Sequence, residues 1–421
     1  MSTMSNDAMN AVEPTTTEKT TVWIYINNRF VSDAHYLHYL KNKDIVVCGA
    51  GLCGDLELSE QNVNIVINFL EKNSSIGRML IQSKNFRVPG NDGGVKRLLY
   101  YLSTCKIPSI DIDFGRKQVH PDYLGYLSVA LSNDECNVTD FLWCGTTTTS
   151  EDLREIKIFS KILETNKSIR RLFLSGDFYG NCSEGLKLIF DGLKKNTSVV
   201  SLYISVYDSM PGRSIDRNLW GQKDAIKYFS DMLKNNATIT KLCLSRNSLG
   251  DYHGWLEHFS KIIENNSTIT DLNLGFNYLG GSGNSGNDTG MTAFAKALGV
   301  NKSIKHINLD GNCLYDCTTG TKSLFEAFGI NHTLETISIS DNGLDGETDG
   351  WASLPEALIT NPTIREFWVV SSSASDTTLA HTPQYKKIYK IESRNAHNNK
   401  MKKLSLFEAL LHLVHPPRRN E

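Results

Sequence analysis

Nowhere in its 421 residues does the sequence hold an uninterrupted apolar run long enough to cross a bilayer, so no membrane span is expected. The opening residues, MSTMSNDAMNAVEPTTTEKTT, carry no apolar core of a leader, and no signal peptide is expected there. Cysteine is sparse and scattered: nine residues, an odd number, without a C-x-x-C pair. Cys48 with Cys53, and Cys313 with Cys317, are too loosely spaced to read as metal ligands without partners. This usage fits a reduced cytosolic or nuclear compartment. Excess charge is missing too. A formal net charge of −2 and a pI near 6.6 give no global pull toward nucleic acid or an anionic membrane.

Catalytic signatures are equally absent from the sequence. It has no G-x-S-x-G, H-E-x-x-H or Walker-type run. His35 with His38, and His412 with His415, stand at helical spacing, but no acidic third ligand lies beside either pair. Gly49, Gly51 and Gly54 do spell G-x-G-x-x-G after the apolar run Ile45–Val47. In a dinucleotide fold such glycines let a helix N-terminus approach a pyrophosphate. Here Asp55, Glu57 and Glu60 follow at once and would repel phosphate, and the next apolar strand, near Met79–Ile81, ends in Gln82 and Ser83 without an acidic ribose ligand. We therefore expect no cofactor, and expect these glycines in a turn after the second strand.

What the sequence does have is a repeat. From Asn236 to Gly280 the pattern L-x-x-L-x-L-x-x-N-x-L is written twice. Ile239, Leu242, Leu244, Asn247 and Leu249 return as Ile269, Leu272, Leu274, Asn277 and Leu279. Between the copies Trp255, Leu256, Phe259, Ile262 and Ile263 fall at helical spacing. One strand, one turn and one helix cannot bury an apolar face alone, so such units stack. Eight anchors of the form Asn-x-Ser/Thr-aliphatic mark the register: Asn73, Asn166, Asn196, Asn236, Asn266, Asn301, Asn331 and Asn361. An apolar residue precedes each by three positions, from Leu70 through Leu163 and Ile263 to Leu358. Two more follow at six and eight, as Leu172 with Leu174 or Ile307 with Leu309. Two degenerate units fill the gap before Asn166, one at Ile107, Ile110 and Ile112, the other at Val138, Phe141 and Trp143. Weaker copies precede them at Trp23, Tyr25, Asn28 and Phe30, and at Ile45, Val47 and Leu52. The anchors read as turn chemistry: Asn tolerates the left-handed conformation that ends a helix, and Ser or Thr bonds local backbone. They are not read as glycan acceptors.

This repeat resembles leucine-rich repeat proteins, and among them the ribonuclease-inhibitor-like subclass, with units near 30 residues and a full helix on the convex side. The resemblance implies an α/β solenoid, a horseshoe with a parallel β-sheet on the concave face and α-helices on the convex face. Residues 1–19 are polar and expected to be disordered, 20–371 form roughly twelve repeat units, and 372–421 form a basic linker and a capping helix. Within that last segment, residues 382–403 carry Lys386, Lys387, Lys390, Arg394, Lys400, Lys402 and Lys403 against one acid, Glu392, before the amphipathic stretch LSLFEALLHLVH. The basic run reads as a solvated linker, or as a patch for an acidic partner or nuclear import. Two insertions, near 207–220 and 280–290, are expected as loops on one edge, the second Gly-rich and flexible.

Function is read from the concave surface. The residue between the two closest apolar positions forms a stripe, one per strand: Leu80, Asp111, Leu142, Phe173, Tyr203, Cys243, Asn273, Asn308, Ser338 and Trp368. Leu142, Phe173 and Tyr203 should form an exposed apolar patch, flanked by Arg171 and Lys241 as donors to an acidic partner. Asn273 and Asn308 extend the site along the stripe. Horseshoe proteins of this kind mostly bind other proteins, so the expectation is a non-catalytic interaction scaffold, a monomer with a protein partner and no nucleic acid or membrane ligand. The alternative implied by the resemblance is a GTPase-activating protein for a Ran-like small GTPase. Those typically carry an acidic tail, whereas this sequence ends in HPPRRNE.

Overall fold

The computed structural model describes residues 21–26, 46–52, 60–72, 78–82, 92–105, 107–113, 121–144, 153–175, 182–205, 219–221, 224–252, 254–282, 285–343 and 353–368. Expectations for residues 1–19, for the basic run and helix of 372–421, for both histidine pairs and for Gly54 lie outside the described residues.

Twelve strands form one parallel sheet, taken in chain order. They are β1 (Thr21–Ile26), β2 (Val46–Leu52), β3 (Arg78–Gln82), β4 (Ser109–Asp113), β5 (Asp140–Cys144), β6 (Arg171–Ser175), β7 (Ser201–Ser205), β8 (Lys241–Cys243), β9 (Asp271–Asn273), β12 (His306–Asn308), β13 (Thr336–Ser338) and β14 (Glu366–Trp368). The other two, β10 (Gly281–Ser282) and β11 (Ser285–Gly286), pair with each other. The helices between strands are α1 (Glu60–Lys72), α2 (Asp92–Thr104), α3 (Pro121–Leu131), α4 (Arg154–Thr165), α5 (Ser183–Lys195), α6 (Ala225–Asn235), α7 (Trp255–Asn265), α8 (Asp288–Val300), α9 (Thr318–Ile330) and α10 (Leu354–Thr360). Each packs on its neighbour in sequence. Adjacent strands sit roughly 4.8 Å apart and packed helices about 8–10 Å apart, so stacked units must curve with the sheet inside. The fold is a leucine-rich repeat solenoid.

The sheet runs without a break past residue 150, where β5 pairs with β6 from Asp140↔Arg171 to Cys144↔Ser175. The apolar positions of the repeat close the core: Leu172, Leu202, Leu242, Leu272, Ile307, Ile337 and Phe367 are all at most 2% exposed. Phenylalanines on the helices run through it, with Phe159, Phe229, Phe259 and Phe294 recurring seven residues before their anchor and all fully buried. Trp143 stacks on Phe159 at 3.9 Å between centroids.

Several local expectations are corrected. None of the seven described anchor asparagines is left-handed. Asn166 has φ −67° and ψ 136°, and Asn361 φ −77° and ψ 120°, both extended. Their side chains do the turning. The Oδ1 of Asn196 accepts from the backbone N–H of Ser198 and Val199, and its Nδ2 donates to Leu163 O in the preceding unit at 2.6 Å. Asn166, Asn236, Asn301, Asn331 and Asn361 repeat that bridge. All six are at most 4% exposed, which leaves no room for a glycan. Left-handed backbone occurs instead around a second set, Asn247, Asn277, Asn312 and Asn342. Asn277, Asn312 and Asn342 each accept from the backbone N–H of the asparagine before them in this set.

The glycine motif is corrected as well. Gly49 and Gly51 lie within β2, laddered between β1 and β3, and not in a turn after it. The end of the 207–220 insertion is core, not surface: Leu219 and Trp220 are buried, and Trp220 meets Phe229 and Trp255 edge-on. The Gly-rich insertion closes into the β10–β11 hairpin. Asn287 N–H donates to Gly280 O there, and its side chain donates to Leu279 O. No side chain larger than hydrogen fits at Gly280, where a Cβ would lie 2.2 Å from Cys313 O.

Candidate functional site on the concave face

Strand register decides which side chains share the concave surface. Each stripe residue pairs with the next across β3 to β14: Leu80↔Asp111, Asp111↔Leu142, Leu142↔Phe173, Phe173↔Tyr203, Tyr203↔Cys243, Cys243↔Asn273, Asn273↔Asn308, Asn308↔Ser338 and Ser338↔Trp368. A second row runs beside it, two residues earlier on each strand: Asp140, Arg171, Ser201, Lys241, Asp271, His306, Thr336 and Glu366.

Phe173 and Tyr203 stack face to face, with centroids 4.2 Å apart and planes 13° from parallel. Leu142 stands on the strand before them. All three are half-buried, because rings on adjacent strands cover one another's faces. Both flanking cations are partnered within the sheet. Arg171 Nε pairs with Asp140, itself held by Thr139 Oγ1, and Lys241 Nζ lies 3.3 Å from Asp271. Each pair joins neighbouring strands of the second row, and both cations keep more than half of their side-chain surface open to solvent.

Beyond Tyr203 the surface becomes an open trough of about 450 Å³ that runs to Trp368, with Cys243, Asn273, Asn308 and Ser338 along its floor. Asn273 and Asn308 use their Oδ1 atoms locally, accepting from the N–H groups of Gly275 and Asp310. Asp310 in turn accepts from Asn308 Nδ2, Ser338 Oγ and Ser340 N. These local bonds fix the two amides where they line the trough. His306 and Thr336, which line the wall, have no side-chain hydrogen-bond partner among the described residues. Sequence reasoning named the stripe and, from this second row, Arg171 and Lys241; a reading of the residue two places earlier on every strand would also have found His306.

The surface holds polar recognition groups but, among the described residues, no assembled nucleophile and base. Among the described residues the most deeply placed thiol, Cys317, has its pKa pushed up to about 11 by burial and is inert near neutrality. No group of three His, Cys, Asp or Glu side chains among the described residues could hold a metal ion. None of the described helices is long and apolar enough to cross a membrane.

Neither a family model nor a curated protein matches the chain. Among solved structures it is similar to a chain of the Rad7–Elc1 complex from yeast, at 11% identity and a TM-score of 0.42, over 79% of this chain and 72% of that one. It is also similar to a chain of the TLR13–ssRNA13 complex, at 10% identity and a TM-score of 0.34, over 78% of this chain and 47% of that one.

Proposed function

We propose that this protein is a non-catalytic interaction scaffold of the ribonuclease-inhibitor-like repeat subclass, which captures a protein partner on its concave face. The observation that carries this reading is the Phe173–Tyr203 stack, set in register between Leu142 and the polar trough. Half-buried aromatics beside charged side chains are the composition of binding hot spots. Arg171 and Lys241 can each extend their existing pair to an incoming carboxylate, because an Asp oxygen occupies only part of their donor capacity. Asn273 and Asn308 would continue recognition into the trough as donors to a partner's carbonyls. The scaffold acts as a monomer in a cytoplasmic or nuclear compartment. The helix-lined convex side, with units near 30 residues, supports the subclass.

Affinity capture with the intact chain, wild type against the double change Phe173→Ala and Tyr203→Ala, tests it. Partner recovery should fall by about tenfold or more, as for loss of a hot-spot pair, with the melting midpoint within a degree or two. A midpoint that drops by several degrees, with binding falling only in step, would assign the stack to internal packing and sink the reading.

A further inference from the structure

A second surface is built at the turns that follow the strands. In four consecutive units the residues on both sides of the ladder asparagine are left-handed: Arg246 and Ser248, Phe276 and Tyr278, Gly311 and Cys313, Asp341 and Gly343, with φ between +50° and +72°. Glycine and aspartate suit such positions, and bulky residues do not. Yet the second unit places two aromatic residues there, and both are exposed, Phe276 by 38% and Tyr278 by 44%. Tyr315, one unit on, is 48% exposed. Burial does not account for these rings. Backbone strain held at an exposed position points to contact with something outside the chain.

The neighbours shape a shelf for the rings. A Cβ at Gly311 would lie 2.4 Å from the Phe276 ring, and one at Gly343 would lie 2.4 Å from the Tyr315 ring. Both glycines therefore let an aromatic lie flat over the next turn. The chain also shows what such a ring accepts: the Arg246 guanidinium stands 4.4 Å over the centroid of Phe276. Among the described residues no cation stands over Tyr278 or Tyr315. The charge around them is acidic. Asp341 is exposed, Asp251 and Asp316 are half-exposed, and Arg246 is already spent on Phe276.

We propose that this edge is a binding site, separate from the concave face, for an extended arginine-bearing segment of a partner protein. Guanidinium groups would stack on Tyr278 and Tyr315 as Arg246 does on Phe276, and pair with the carboxylates of Asp316 and Asp341. A planar guanidinium meets both demands at once, whereas an ammonium is a compact, strongly hydrated charge. Nucleic acid could stack on the same rings, but its phosphates would meet the acidic rim.

Fluorescence anisotropy with the intact chain tests this, using a labelled peptide of alternating glycine and arginine and its lysine counterpart. The arginine peptide should bind at least about fivefold more tightly than the lysine peptide. Tyr278→Asn with Tyr315→Ala should weaken it by about tenfold or more, while Phe173→Ala with Tyr203→Ala leaves it unchanged. Asparagine suits the left-handed turn, so Tyr278→Asn should keep or raise the melting midpoint and separate lost binding from lost folding. Equal binding of the two peptides, full binding by the tyrosine variant, or tighter binding of a single-stranded RNA of similar length would each overturn the proposal.

Discussion

Asn277 makes the sharpest test of how these units are joined. Its side chain is fully buried. Its Nδ2 donates to Leu244 O at 2.8 Å and Leu274 O at 2.9 Å, and its Oδ1 accepts from Asn247 N at 2.7 Å. Asn277→Ala removes these three bonds, and a long one from Nδ2 to Gly275 O at 3.4 Å, but unequally. Leu244 O keeps a bond from Asn247 Nδ2, and Leu274 O keeps one from Asn312 Nδ2. The buried N–H of Asn247 loses its bond to Oδ1, at about 1–3 kcal/mol, and the two lost donations add about 1 kcal/mol together, for a total of about 2–4 kcal/mol. Asn277→Asp is worse at neutral pH despite its matching shape. A carboxylate would face two carbonyl oxygens where an amide donated to both. That arrangement raises the folded-state pKa above the unfolded value of about 3.9. The folded variant then binds more protons than the unfolded chain, so its stability relative to wild type should fall as pH rises from about 4 toward 7. Urea unfolding by circular dichroism across that range, with amide exchange at residues 247 and 277, reads both effects. A cost below about 1 kcal/mol for the alanine variant, or a pH-independent gap for the aspartate variant, would refute the reasoning.

Leu242→Ala and Leu272→Ala should each cost about 2–5 kcal/mol in chemical denaturation, since both side chains are at most 2% exposed in the core. A cost under about 1 kcal/mol would contradict that placement. Gly51→Ala should leave NAD and FAD titrations as flat as in the wild type, because Gly51 belongs to a strand ladder; saturable micromolar binding in the wild type, lost in the variant, would overturn this. Glu335 sits between Lys305 at 3.1 Å and Arg365 at 3.5 Å, and the hydrogen bond from Lys305 holds its carboxyl below the usual range. A depressed carboxylate stabilises above its unfolded pKa and loses that contribution as pH falls through the folded one, so Lys305→Ala should flatten stability loss in acid. The pair is partly solvated, which limits the effect to under about 1 kcal/mol, and an unchanged acid limb in the variant would remove Glu335 from the account.

The sequence by itself determined the solenoid. Apolar residues three before, and six and eight after, each anchor can be buried together only if strand and helix alternate and units stack, so the core list and the order of the stripe were legible before any coordinate. Periodicity carries that information because one spacing is written many times over. It carries none about what a side chain does once placed. Asn247 and Asn196 are both asparagines at turns, yet one is flanked by left-handed residues and the other is itself extended; the choice depends on which carbonyls of the preceding unit lie within reach. The same holds for the site. Phe173 beside Tyr203 follows from register, but the internal pairing of Arg171 with Asp140 and Lys241 with Asp271 needed the spacing between strands. No periodicity in the sequence marks Phe276, Tyr278 and Tyr315. Only the tertiary structure put them on one edge, where Gly311 and Gly343 of the next units open the flat path of the Phe276 and Tyr315 rings.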